Sequence, residues 1–174
     1  MDLELVHRHN QTVLNNLEAG DLIEFPRGFY SHWAVYIGNQ AVVHLAGDPN
    51  AELKENVNIF HVFEICGKLF TKARVKQDDF FVAADKSMAK KNNDKDNMVS
   101  PLEKQMIVQR ALTNIGDIGY NILWKNCESF ARWCRYGEAW SEQTNTALTV
   151  VGATAAIVGG LAIINRCRRK EEEK

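Results

Sequence analysis

The chain has 174 residues, enough for one domain with a real core plus an appendage. Hydrophobic residues at 45% and charged residues at 25% exclude a mostly disordered chain. A formal net charge of −1, with no nucleic-acid-binding motif, excludes the electrostatic footprint of a DNA or RNA binder.

The N-terminal stretch "MDLELVHRHN" has no apolar signal core, so export is not expected and its histidines, His7 and His9, read as surface residues. "GDLIEF" (Gly20–Phe25) reads as a strand opened by a Gly-Asp turn. "HWAVYIG" (His32–Gly38) and "AVVHLA" (Ala41–Ala46) read as two more, and the short "GNQ" link makes them a hairpin. "VNIFHVFEI" (Val57–Ile65) and "DFFVAA" (Asp79–Ala84) are further strand candidates. "KSMAKKNNDKDNM" (Lys86–Met98) is polar and mixed in charge and reads as an exposed, mobile loop. A helix is expected from Ser100 as N-cap, with Pro101 at its first position and Glu103 completing an S-x-x-E capping box. Leu102, Met106, Ile107, Ala111, Leu112 and Ile115 follow at helical spacing, and Gly116 ends it. In "NCESFARWCRYG" (Asn126–Gly137), Asn126 is a strong N-cap and places Cys127 in the first turn of a helix.

The last thirty or so residues are different. "TNTALTVVGATAAIVGGLAIIN" (Thr144–Asn165) is 22 residues without a charge. As a helix it reaches roughly 33 Å, the thickness of a bilayer core, and it lacks the polar stripe of a buried core helix. It reads as a single-pass tail anchor, with the preceding domain facing the cytosol. Gly152, Ala156 and Gly160 form a small-xxx-small face suited to helix–helix self-association. The basic cluster Arg166, Arg168, Arg169 and Lys170 then falls on the far side, against the positive-inside bias, and Cys167 lies at the membrane edge as a palmitoylation candidate. The expected division is a folded domain over 1–142, a membrane helix over 144–165 and a charged tail over 166–174.

Four cysteines occur, Cys66, Cys127, Cys134 and Cys167, with no C-x-x-C pair and no metal-site spacing. Reduced thiols are the expectation for a cytosolic domain. At a helix N-terminus, free N–H groups and the helix dipole favour a thiolate on Cys127, while Cys134, two turns on with Phe130 and Ala131, reads as core filler. Packing is the commoner role of an intracellular cysteine, and the helix position alone does not decide between the two. A thiol nucleophile needs a base and the base needs an orienting group. Of the five histidines, His61 reads as a sheet residue, while His32 and His44 lie on the two arms of the hairpin. They share a face if paired residue numbers sum to an even value, and lie on opposite faces after a one-residue slip.

"GDLIEFPRGFYSHWAVYIGNQAVVHLA" and "NCESFARWCRYG" resemble the two signature blocks of the lecithin retinol acyltransferase-like superfamily, nearest its phospholipase A/acyltransferase branch. The resemblance spans nearly the whole chain and is weakest over Gly47–Met98. It implies an α+β, circularly permuted papain-like (NlpC-type) domain, with an antiparallel sheet carrying the histidines and a helix presenting the cysteine. It further implies Cys127 as nucleophile, His32 as base and His44 as the third polar member. Tyr30, Arg27 and Asn126 become candidate oxyanion or substrate contacts. The implied activity is that of a calcium-independent thiol phospholipase A1/A2 and acyltransferase acting on glycerophospholipids through a Cys127 thioester, including N-acylation of phosphatidylethanolamine and lysophospholipid transacylation. No metal or cofactor is implied. One departure stands out: the family pattern is N-C-E-H-F, and Ser129 replaces that histidine. The competing readings are a thiol amidase or peptidase on the same fold and a non-catalytic membrane-anchored interaction protein.

Overall fold

The computed structural model describes residues 2–48, 50, 63–118 and 126–137. Its frame is a six-stranded antiparallel sheet in the order β7-β1-β2-β3-β6-β8. The strands are β1 (Leu22–Pro26), β2 (Ser31–Gly38), β3 (Ala41–Gly47), β6 (Ala73–Asp79), β7 (Lys90–Lys91) and β8 (Gly116–Ile118). A separate hairpin pairs β4 (Phe63–Ile65) with β5 (Lys68–Phe70). The helices are α1 (Leu3–Asn15), α2 (Phe80–Ala84), α3 (Lys104–Thr113) and α4 (Cys127–Tyr136).

Alternation along the strands separates two cores. Leu22, Trp33, Val35, Val43 and Leu45 face α3 and α4 through Ile107, Ala111, Phe130, Ala131 and Cys134. Ile23, Phe25, Ala34, Tyr36 and Val42 face α1 and α2 through Leu14, Phe80, Ala83 and Ala84. Burial of both faces is what allows the apolar runs of β1 to β3 to be nearly continuous.

The expected hairpin forms. Asn39 and Gln40 take positive φ, as a two-residue hairpin turn requires. Val35 pairs with Val43 and Tyr36 with Val42, an even register, and the slip to Gly38 opposite Ala41 is confined to the turn end. His32 and His44 therefore share a face.

Four expectations are corrected. Asp79–Ala84 is not a strand: the Asp79 carboxylate accepts from the Phe81 N–H at 2.8 Å and from the Val82 N–H at 3.4 Å, which starts α2 and ends β6. The helix expected from Ser100 starts at Lys104, because the Leu102 N–H donates to the Arg135 carbonyl at 2.8 Å and keeps the lead-in extended. Of its expected apolar face, Ile107 and Ala111 are buried, while Met106, Leu112 and Ile115 are exposed. The Lys86–Met98 segment is pinned: Asn93 Oδ1 accepts from the Leu22 N–H at 2.9 Å, and Asp94 and Asp96 pair with arginines of α4. The polar N-terminal stretch also folds into α1, where the His9 ring meets the Ala89 carbonyl at 2.8 Å and is half-buried, while His7 is exposed.

Of the expected strand over Val57–Ile65, residues 63–65 form β4, and the rest, His61 included, lies outside the described residues. The segment 144–165 and its small-residue face also lie outside them. Among the described residues no helix is long and apolar enough to cross a membrane.

Candidate active site

α4 begins as its sequence dictates. The Asn126 side chain accepts from the Ser129 N–H at 2.8 Å, and Ser129 Oγ accepts from the Asn126 N–H at 3.2 Å. Asn126 and Ser129 thus form a reciprocal capping box. Ser129, at the position where the family pattern has histidine, is spent on holding the helix start. Asn126 Oδ1, on a candidate oxyanion contact, is likewise committed to the cap.

Cys127 follows in the first turn with only 2% of its surface exposed. Its thiol lies 3.8 Å from the Ser31 carbonyl, and the Trp33 N–H donates to its sulfur. Cys134 is fully buried and burial pushes its thiol pKa up, as expected of core filler.

His32, His44 and Asp78 form a row across three adjacent strands. His32 Nε2 and His44 Nδ1 are 2.8 Å apart, with the rings edge to face. His44 Nε2 is 2.9 Å from Asp78 Oδ2, and Lys76 Nζ is 2.7 Å from the same oxygen. Register explains the row: His44 lies directly opposite Lys76, and Asp78 is two residues on, hence on the same face.

The proton positions follow from chemistry. An ionised carboxylate only accepts, so His44 Nε2 donates to Asp78. Burial holds the His44 pKa down at about 4, so its ring is neutral and Nδ1 accepts. His32 then donates from Nε2, leaving Nδ1 as its basic nitrogen. The Asp78 carboxyl is held at about 2 by its hydrogen bond to His44.

The sulfur at His32 Nδ1 is that of Cys66, at 3.1 Å. Cys66 sits in the β4–β5 turn and is half-buried. It packs against the core cluster that holds Cys127, and the neighbouring thiols shift apart: Cys66 is lowered, helped by His32 and the nearby Arg27 charge, and Cys127 is raised, helped by its burial. Burial and the neighbouring sulfur oppose ionisation of Cys127, against the pull of the helix N-terminus. Cys66, Cys127 and Cys134 are free thiols.

The remaining candidates border this cluster. The Tyr30 ring packs against the turn at Gly67, where an added Cβ would meet it at 2.9 Å. Arg27 Nη2 donates to the Ala83 carbonyl at 2.8 Å, and its Nε is buried with no partner among the described residues. Among the described residues no group of three or more His, Cys, Asp or Glu could hold a metal ion.

Two residues of the site escaped sequence reasoning. Asp78 had a legible signal, since any acid two residues past the partner of His44 shares its face, but the β6 strand went unrecognised. Cys66 carried none, because its place depends on a hairpin folding back over Tyr30.

Comparison with known proteins supplies the lineage. Residues 15–140 match the family model described as lecithin retinol acyltransferase. The chain is 35% identical to the human protein named phospholipase A and acyltransferase 2 over 146 residues, covering 83% of this chain and 86% of that protein. It is 36% identical over 143 residues to human phospholipase A and acyltransferase 3, covering 82% and 83% of the two chains. It is 35% identical over 150 residues to rat phospholipase A and acyltransferase 1, covering 83% of each. With an α+β fold, an antiparallel sheet carrying both histidines and Cys127 at the head of a capped helix, this chain belongs to the lecithin retinol acyltransferase family.

Proposed function

We propose that this chain is a thiol phospholipase A and acyltransferase that acts on glycerophospholipid esters through Cys127. The observation that carries this reading is the polar row Asp78–His44–His32 ending at a thiol pair beside the α4 N-terminus, in a chain whose relatives are named for phospholipase A and acyltransferase activity. The domain is read as a circularly permuted papain-like fold, in which the strand-borne histidines precede the cysteine helix.

In the proposed mechanism His32 Nδ1 takes the Cys127 proton, and Cys66, 3.1 Å from that nitrogen and packed against the cluster that holds Cys127, lies on that route. Neutral His44 accepts from His32 Nε2–H and stabilises the imidazolium that forms, and Asp78 fixes the His44 tautomer. The Cys127 sulfur attacks the ester carbonyl, the alkoxide leaves as a lysophospholipid with the proton from His32, and the acyl chain remains as a thioester. Backbone N–H groups at the start of α4 meet the oxyanion, with Tyr30 and Arg27 at the rim of the site. Water as second substrate yields a fatty acid. The amine of phosphatidylethanolamine yields an N-acyl product, and a lysophospholipid hydroxyl yields transacylation. None of these steps requires calcium. Residues 144–165 are proposed as the tail anchor that keeps the domain, on the cytosolic side, at its substrate surface and raises effective concentration.

The test is product analysis on mixed phosphatidylcholine and phosphatidylethanolamine vesicles. The wild type is expected to release fatty acid and lysophospholipid and to form the N-acyl product, and Cys127→Ser to lose at least about a thousandfold of each. Unchanged release by Cys127→Ser would contradict the mechanism. Cleavage of a peptide amide in preference to the ester would move the assignment to an amidase. No turnover of either, with a Cys127 inert to electrophiles at neutral pH, would favour the non-catalytic interaction protein.

A further inference from the structure

Cys66 belongs to neither signature block, yet it occupies the position of greatest chemical consequence beside His32. Its sulfur lies 3.1 Å from His32 Nδ1, and the residue packs against the core cluster that holds Cys127. The turn that carries it is built for that place. Cys66 and Gly67 take φ of 54° and 71°, and together they close the hairpin between the paired residues Ile65 and Lys68. A Cβ at Gly67 would come within 2.9 Å of the Tyr30 ring, so the turn is seated against the loop that leads into β2. Arg27, from that same loop, contributes positive charge at Cys66. One sulfur is half-buried and reachable, and the other is hidden against it with 2% exposed. A reachable sulfur beside an imidazole, within the field of the Arg27 charge and packed with a second thiol, suits peroxide chemistry.

We propose that Cys66 and Cys127 form a dithiol site for a hydroperoxide, with Cys66 the sulfur oxidised first and Cys127 the sulfur that resolves it. Cys66 gives its proton to His32 Nδ1, its sulfur attacks the terminal oxygen of ROOH, the O–O bond breaks, and RO⁻ leaves as ROH with that proton. Cys66 is then a sulfenic acid, oxidised by two electrons. Cys127 sulfur attacks the Cys66 sulfur, the S–O bond breaks, and hydroxide leaves as water with the Cys127 proton. The sum is two thiols and ROOH giving a disulfide, ROH and water. The site itself is independent of the phospholipase reading. Its consequence rests on that reading: the disulfide removes the acyl-accepting thiol, and acyl release stops until a dithiol reductant restores it.

The test treats the reduced full-length chain with hydrogen peroxide, unfolds it in N-ethylmaleimide to block remaining thiols, and maps the peptides by mass spectrometry. The expected product is a Cys66–Cys127 disulfide, with Cys134 and Cys167 alkylated. A disulfide to Cys134 or Cys167 instead, or a sulfinic acid on Cys66 with Cys127 still a thiol, overturns the proposal. Peroxide added to the chain already unfolded in guanidinium is expected to show no preference for this pair, and a preference as strong there as in the folded chain overturns it too. In Cys66→Ser, loss of the Cys127 thiol is expected to slow at least about tenfold, and an unchanged rate also counts against the site. Should that variant not fold, the wild-type map decides alone. A chain that forms the disulfide but never releases fatty acid keeps the dithiol site and removes the phospholipase reading, so the two failures are told apart.

Discussion

The two ends of α4 bury polar groups in opposite ways. Toward its C-terminus, Arg132 is 1% exposed and fully engaged: Nε donates to Glu128 at 2.9 Å and Nη1 to Asp94 at 2.9 Å. Arg135 does the same, with Nη2 donating to Asp96 at 2.6 Å and Nη1 to the Gly20 carbonyl at 2.8 Å. Every one of those bonds is charge-assisted, and those to Asp94 and Asp96 lock the helix to the segment between β7 and α3. At the N-terminus, Cys127 has only a 3.8 Å approach to the Ser31 carbonyl and soft contacts to a backbone N–H and another sulfur. The contrast separates anchoring from reactivity. Strong reciprocal charge fixes the helix, and weak, polarisable contacts leave a group at its head able to change partners.

The largest effect expected from breaking this contrast lies at the anchored end. Arg132→Met removes the charge that balances Glu128, itself 2% exposed, and is expected to cost about 3–5 kcal/mol in urea unfolding. Adding Glu128→Gln to the same chain is expected to recover part of the loss. A cost below about 1 kcal/mol for the single change would show that the network does not anchor α4.

The next effect lies in the histidine row. Asp78→Asn lets an amide donate to His44 Nε2, which turns the His44 tautomer and sets its Nδ1–H against His32. Fatty-acid release is expected to fall about a hundredfold with thermal stability nearly unchanged, and Asp78→Glu to restore part of it. Equal rates for wild type and Asp78→Asn would remove Asp78 from the mechanism.

The pH dependence of stability probes the same row. His44 is buried neutral, with its pKa lowered from 6.5 to about 4, so between those values the unfolded chain binds the proton and the folded one does not. Stability is therefore fully present above pH 6.5 and lost as pH falls toward 4. Asp78, lowered from 3.8 to about 2, adds a second loss below pH 3.8. Urea titrations at pH 7 and pH 4.5 should show the first loss, and His44→Gln should lose less over that interval. A His44→Gln chain with an unaltered pH slope would contradict a buried neutral His44.

The smallest effect belongs to the cap. Ser129→Ala deletes the hydroxyl bonded to the Asn126 N–H and is expected to cost about 1 kcal/mol with little change in acyl release. A large loss of activity at unchanged stability would instead place Ser129 in the chemistry.

The parts of this molecule that were legible beforehand are those whose signals are local. The Asn126 cap, the buried stripe of Phe130, Ala131 and Cys134, and the hairpin bearing His32 and His44 each follow from residues adjacent in sequence or at a fixed period. The even register was open until the pairing of Val35 with Val43 closed it. Asp79 misled because the apolar run after it fits a strand as well as a short helix, and only its carboxylate on the Phe81 N–H distinguishes them. The Ser100 capping box misled because a tertiary bond from Leu102 to the Arg135 carbonyl outweighs a local preference. Cys66 was invisible because a long-range contact, the seating of its turn on Tyr30, creates its chemistry.

The central claim, that Cys127 and not its neighbour carries the acyl group, is tested most directly by trapping the intermediate. The wild-type chain is mixed briefly with phosphatidylcholine vesicles, quenched in acid, and its acylated peptide is identified by mass spectrometry with and without hydroxylamine. The predicted result is a hydroxylamine-labile acyl adduct on the peptide containing Cys127. An adduct on Cys66, or fatty-acid release with no thioester on either sulfur, would contradict the account.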